Sequence, residues 1–184
     1  MPRALLLLLS LLLAACAAPP VVAPDRPGAP PRAQAPTLGF LSRIRVPDGH
    51  EPVLQLAAKG VQIFRCEREG NGFDWRFRLP EADLFDAQGQ AMARHGANFS
   101  FEHRDGSRLL GTVVAHDRAG AADALPWLLL STKSFGKGEF SGISYVQRVN
   151  TSGGMPPQGC PASQANRLLR VDFSADFVFY RPRG

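Results

Sequence analysis

Arg170-Val171-Asp172-Phe173-Ser174-Ala175-Asp176-Phe177-Val178-Phe179-Tyr180 alternates apolar and polar side chains almost without a break. Val171, Phe173, Ala175, Phe177 and Phe179 fall on one side, and Asp172, Ser174 and Asp176 on the other. A period of two is the signature of a strand with one buried face. The same rhythm recurs upstream. Phe73, Trp75 and Phe77 alternate with Asp74, Arg76 and Arg78, which predicts an aromatic, half-buried face, and Pro80 ends that run. Asn98 to His103 alternates through Phe99 and Phe101. Arg104-Asp105-Gly106-Ser107 then supplies an Asp-Gly turn signal before a strand over Arg108 to His116.

Val53 to Ala58 and Val61 to Cys66 read as two strands of a hairpin, with Lys59-Gly60 as the tight turn. In the second strand Val61, Ile63 and Arg65 share one face, and Gln62, Phe64 and Cys66 the other. Ala82 to Phe85 is a short strand or one helical turn, and Asp117 to Ala124 a loop or short helix. Pro126 to Ser131 is continuously apolar through Trp127 and Leu128 to Leu130, as expected of a strand covered on both faces. No stretch keeps the helical period over three turns, and there is no internal repeat. The chain is therefore expected to form one all-β domain over residues 38–184, an antiparallel β-barrel or sandwich of about eight to ten short strands. Its first and last strands are expected to pair.

Ile143 to Cys160 carries the densest chemistry. It begins as a strand, with Ile143, Tyr145 and Gln147 on one face and Val146 on the other. Gln147, Arg148, Asn150 and Thr151 follow as a hydrogen-bonding run, and Gly153-Gly154 opens a Gly/Pro loop ending at Cys160.

The N-terminus predicts export. Residues 1–15 hold one basic residue, Arg3, then an apolar run from Leu5 to Leu13 too short to span a bilayer. Leu13-Ala14-Ala15-Cys16 resembles a bacterial lipobox, which makes Cys16 the lipidated first residue of the mature chain. The competing reading is an ordinary secretory signal cleaved near Ala15 or Ala18. By resemblance to bacterial sorting rules, Ala17 directs the lipoprotein to the outer membrane, on its periplasmic face. Residues 16–37 are rich in Pro and Ala, the composition of a disordered, extended tether. Cys66 and Cys160 remain, an even number in an oxidising compartment, and a disulfide is expected. A metal-binding or redox thiol pair is the alternative, although no C-x-x-C motif is present.

From about Val46 to Tyr180 the chain resembles domain-of-unknown-function family thirty-four fifty-five, whose members are exported bacterial and secreted fungal proteins. The matching residues are Val46 to Gly49, Gly60 to Cys66, Asp105-Gly106-Ser107, Leu125 to Leu130, Tyr145 to Thr151, Gly153-Gly154, Pro157, Gly159-Cys160, Ala175 to Phe177 and Phe179-Tyr180. The resemblance implies an exported β domain with Cys66 and Cys160 paired, and it carries no established activity. Family members usually continue from the position of His95 with an aromatic residue and then Ala-Gly-Pro-Thr-Trp. Here Gly96-Ala97-Asn98-Phe99-Ser100-Phe101 stands instead, so a ligand site shaped by that segment differs.

The expected function is that of a non-enzymatic, lipid-anchored cell-envelope domain that binds a small molecule, a glycan or a partner protein. Its candidate ligand residues are His95, Trp127, Tyr145, Gln147, Arg148 and Asn150, grouped on one concave face, with Arg148 offering a bidentate fork. The competing structural role for the polar run is to satisfy backbone groups of the glycine loop or to pair with Asp172 or Asp176. Trp127, Trp75, Tyr145 and Phe101 form either an aromatic platform or core. A second class of function is a metal-dependent or hydrolytic periplasmic enzyme, which needs His95, His103 or His116 to converge with a carboxylate. A third is a structural envelope protein with no pocket. No H-x-H or H-E-x-x-H spacing, G-x-S-x-G elbow or phosphate loop is present, so no catalytic residue, metal or cofactor is assigned. The net charge of +5 is spread along the chain rather than clustered with aromatics. That excludes a nucleic-acid interface and favours anionic surfaces such as lipid headgroups or polysaccharide phosphates.

Overall fold

The computed structural model describes residues 33–184. The signal segment, Cys16 and most of the expected tether lie outside the described residues. The strands are β1 (His50–Glu69), β2 (Gly72–Phe85), β3 (Ala91–Gly96), β4 (Ser100–His103), β5 (Arg108–Asp117), β6 (Trp127–Phe135), β7 (Tyr145–Gly153) and β8 (Leu168–Pro182). Each pairs antiparallel with the next, and β8 returns to pair with β1, so the eight strands close into a barrel. Closure leaves the sheet with no terminal strand to template aggregation.

The predicted hairpin at Lys59-Gly60 does not form. β1 runs 20 residues straight through it. Lys59 pairs with Asp83 on one side and Ser174 on the other, and Gly60 with Ala82 and Phe173. A β-carbon at Gly60 would overlap the Glu81 carbonyl oxygen and stand 2.5 Å from Ala82 Cα. The glycine marks a close backbone approach inside a strand, the other meaning a strand glycine carries. Nor does Pro80 end its strand, since β2 continues to Phe85 and Ala82 to Phe85 is its second half. Pro80 is tolerated because this part of β2 pairs only with β1 and lies beside a register slip at Ile63/Phe64 that skips Arg78. Asp117 to Ala124 contains no helix.

The interior is packed with Leu56, Ala58, Leu84, Phe101, Leu109, Leu130, Val146, Phe173, Ala175, Phe177 and Phe179. The alternation thus points inward as expected along Phe173 to Phe179, while Val171 is only half-buried. Phe140 and Ile143, from the loop before β7, close one end. Ile143 therefore packs inside, away from Tyr145 and Gln147, which face outward on β7.

A second, smaller core lies outside the barrel wall. The segment before β1 crosses β6 and β7 as a strap. Its Ile44 is fully buried with Leu129 and Val149, and Leu38, Val46, Trp127 and Tyr145 pack around them. Burying a side chain such as Ile44 contributes roughly 1.5–3 kcal/mol. The strap explains the apolar run at Trp127 to Leu130. Leu128 and Leu130 enter the barrel core, and Leu129 belongs to the strap core.

The aromatic face predicted for β2 is less covered than expected. Phe77 is 50% exposed, packed edge-on against Phe64. Here β1 and β2 extend beyond the barrel as a ribbon. Arg78 pairs with Glu67 along it, and the Arg68 guanidinium lies 5.0 Å from the Phe73 ring centroid. Cys66 and Cys160 are bonded, with their α-carbons 6.0 Å apart, and tie the loop before β8 to the ribbon. The Cys160 N–H donates to the Phe73 carbonyl and the Asn166 N–H to the Cys66 carbonyl.

Two stability outcomes follow. Gly60→Ala places a methyl against backbone that cannot swing away, and is expected to lower stability by roughly 3 kcal/mol in urea unfolding. A cost below about 1 kcal/mol, as for a hairpin turn, contradicts the close approach. Reducing the disulfide reopens a sequence separation of 94 residues. In the chain-entropy account this loses roughly 4–5 kcal/mol, read as a lower unfolding midpoint in reductant.

Candidate functional site

The barrel wall divides the candidate ligand residues. β7 alternates, so Val146 and Arg148 point inward while Tyr145, Gln147 and Val149 face the strap. His95 and Arg148 share the interior. Trp127, Tyr145 and Gln147 lie across the wall beneath the strap, and Asn150 is exposed on the surface. One concave face does not hold all six.

The polar run is consumed internally. Gln147 is buried, donates Nε2–H to the Ile44 carbonyl at 2.6 Å and accepts from the Tyr180 hydroxyl at 2.5 Å. Burial pushes the Tyr180 phenol up to about 12. Arg148 donates from Nε and Nη2 to the Pro126 carbonyl at 3.2 and 2.9 Å. Its burial lowers the guanidinium to about 10, still protonated at neutral pH. Thr151 Oγ1 donates to the Leu125 carbonyl at 2.6 Å, and Asn150 Nδ2 to Asp176 at 2.8 Å. Asn150 takes φ of 51°, a left-handed conformation that asparagine tolerates better than most residues, where the β7–β8 register slips.

The histidines are dispersed. His95 is 2% exposed, stacks on Phe101 at 4.4 Å and holds the Ser100 carbonyl at 3.0 Å through Nδ1. Burial lowers its pKa to about 4, opposed by the Ser100 bond and helped by the Arg148 charge. His116 is exposed on β5. His103 Nδ1 lies 2.9 Å from Asp105 Oδ2. That contact assigns the proton to Nδ1, so the 3.3 Å approach of the Asp105 N–H to the same nitrogen is not a bond. Among the described residues, no group of three or more His, Cys, Asp or Glu is arranged to hold a metal.

Asp105 gathers four donors. Oδ1 accepts from the Ser107 N–H at 2.8 Å and hydroxyl at 2.6 Å, and Oδ2 from His103 and from the Glu139 N–H at 2.7 Å. The Ser107 hydroxyl also accepts from the Phe140 N–H at 3.1 Å. These bonds, led by that hydroxyl, hold the Asp105 carboxyl well below the usual carboxylate range. They staple the β4–β5 turn to the β6–β7 loop. A serine, a histidine and an aspartate do meet here. The hydroxyl bonds the aspartate rather than the imidazole, so no base stands beside it to take its proton.

Apart from His95, the residues that line a hollow on the wall went unrecognised in the sequence. On the outer wall a groove of about 560 Å³ is bounded by Lys59, Glu81, Asp83, Arg94, Glu102 and Arg170. Gly60, Gly96, Ser100 and the edge of His95 complete it. Lys59, Asp83, Arg94, Glu102 and Arg108 stand in direct cross-strand register from β1 to β5, a ladder of alternating sign. Arg94 meets Asp83 at 3.7 Å, and Arg170 meets Glu81 at 2.6 Å. Glu102 and Arg170 fall in alternating runs of the sequence, while Lys59 reads as part of a turn. Their convergence depends on strand register, which local pattern does not supply.

The wall, strap and stapled turns define a closed antiparallel barrel with an apolar side-chain core and a charged groove on its outer wall. The chain belongs to the family described as Protein of unknown function (DUF3455), which it matches over residues 47–181. That span covers every strand but for the last residue of β8. Comparison with curated proteins and with solved structures found no match.

Acid should destabilise the barrel in two windows. The folded-state pKa of His95 is depressed, so the unfolded chain binds the extra proton between about pH 6.5 and 4. Stability is full above that range and falls as pH drops through it, by roughly 3 kcal/mol in all. The depressed Asp105 carboxyl adds a further loss below about pH 4. Urea midpoints measured against pH should lose the upper slope in His95→Phe and keep it in His116→Phe.

Proposed function

We propose that this protein is a non-catalytic binding domain of the bacterial cell envelope that takes an extended glycan along the outer wall of β1 to β4. It is held by lipid on Cys16 at the periplasmic face of the outer membrane. The observation carrying this reading is the groove over the charge ladder. Its volume of about 560 Å³ falls within the ~300–1,000 Å³ of ordinary ligand sites. Its walls mix ammonium and guanidinium donors with carboxylate acceptors, and sugar hydroxyls need both. Gly60 and Gly96 keep the floor low, and a strip running across four strands, β1 to β4, suits a chain-like ligand better than a compact one.

The same groove argues against chemistry at this wall. His95 is committed to a backbone carbonyl and is neutral at physiological pH, and Asp83 and Glu81 are ion-paired. Lipid anchoring and export rest on the Leu13-Ala14-Ala15-Cys16 motif and the apolar run before it.

Two measurements test the reading. Mass spectrometry of the full chain purified from membranes should show residues 1–15 removed and acyl groups on Cys16. Titration with peptidoglycan-derived oligosaccharides should show saturable binding, which Lys59→Ala combined with Glu102→Ala weakens by about tenfold, as for loss of two polar contacts. The unfolding midpoint should not change, because both side chains are exposed. Equal binding by the double variant, or no glycan binding by the unaltered protein, overturns the assignment to this groove.

A further inference from the structure

Phe40 and Leu41 are the most exposed large apolar side chains among the described residues, at 91% and 85%. They are adjacent, at the tip of a turn closed by the Ser42 N–H on the Gly39 carbonyl at 3.1 Å. A single exposed apolar residue needs no explanation, but a rigidly presented pair does. This pair cannot collapse onto the domain, because the chain on its C-terminal side is fastened. Ser42 Oγ donates to Asp117 at 2.6 Å, and the Arg43 N–H to the same carboxylate at 3.2 Å. Ile44 then plugs the strap core.

The turn also carries a basic collar. Arg45 Nη2 donates to the Gly39 carbonyl at 2.8 Å, which sets its guanidinium at the base of the tip. Arg43 keeps a 65% exposed side chain while lying 3.5 Å from Asp117. Arg118 lines the hollow beneath Leu41 together with Trp127. Asp117 is the carboxylate at this site, and its hydrogen bonds and Arg43 already engage it.

We propose that the Gly39–Ser42 turn is a membrane-contact tip, in which Phe40 and Leu41 enter the acyl boundary of an anionic phospholipid surface while Arg43, Arg45 and Arg118 meet its phosphates. Apolar residues flanked by cations are the chemistry that binds a charged interface. The turn is also the first part of the domain reached from the segment that begins at Cys16. The inference rests on the anchored reading above. It adds that the domain lies with its strap toward the bilayer, leaving the charge ladder on the far wall free for its ligand.

The test uses the full chain with its native N-terminal processing, reconstituted into phosphatidylethanolamine–phosphatidylglycerol vesicles. With Cys16 acylated and Cys66 bonded to Cys160, Phe40→Cys introduces the single thiol for a spin label, and Glu102→Cys serves as control. The oxygen-to-nickel accessibility ratio at position 40 should exceed that at position 102 by about threefold or more, as for immersion below the headgroups. It should fall to the control value in neutral phosphatidylcholine vesicles. Protein that floats with the vesicles while both labels stay water-exposed overturns the tip and leaves the anchor standing. A tip covered instead by a glycan or a second copy of the chain loses collisions with oxygen and nickel alike, which also overturns the tip. Immersion that is unchanged in neutral lipid overturns the assignment to an anionic surface. Protein that does not float at all overturns the anchor and the tip together.

Discussion

The fold depends on β1 being paired along both edges over most of its length. One edge carries β2 and the other β8, and at Gly60 the backbone of β2 comes so close that there is no room for a side chain. Long-range pairing of this kind is slow to find, because loop-closure entropy is spent before the contacts form. Once made, it closes the sheet. Every later strand need only pair with its predecessor.

Closure turns the sheet into a wall one residue thick, and the wall sorts the chemistry. Side chains on one pleat meet Phe101, Phe177 and Phe179 inside, and their neighbours meet water or the strap. The polar run on β7 shows the consequence. Gln147 and Arg148 are adjacent in sequence, yet one bonds Ile44 outside and the other Pro126 on the inward side. Each satisfies a backbone carbonyl that an irregular segment would otherwise leave without a partner. These bonds serve architecture, and so do those that Asp105 makes with Ser107, Glu139 and His103 at the barrel end.

Much of the fold was legible because a half-buried strand writes its burial into an alternation of two. Phe173 to Phe179 and the Asp105-Gly106 hairpin follow the pattern they display, and Cys66 and Cys160 meet as their even number predicts. The errors have one cause. Lys59-Gly60 and Pro80 carry local turn and stop signals, and tertiary packing overrode both. Glycine serves a tight turn and a close backbone approach equally well, and proline is acceptable wherever a strand has an unpaired side or a bulge. The charged groove was illegible for a related reason. Lys59 reads as part of a turn, and Asp83, Arg94 and Glu102 look like ordinary solvent-facing residues of separate segments.

By itself, the sequence determined that this protein is an all-β domain with paired first and last strands and a cystine joining its early and late parts. Those properties are written in nearest-neighbour alternation, in turn residues and in cysteine number, all of which act locally or through composition. Only the tertiary structure decided that the sheet closes, that β1 runs unbroken through Gly60, and that a strap builds a second core over β6 and β7. It alone separated Arg148 from Trp127 and Tyr145 and brought Lys59, Asp83, Arg94 and Glu102 into one line. The physical reason is register. A shift of one residue sends a side chain to the opposite face of the wall, and register is set by contacts between strands far apart in the chain.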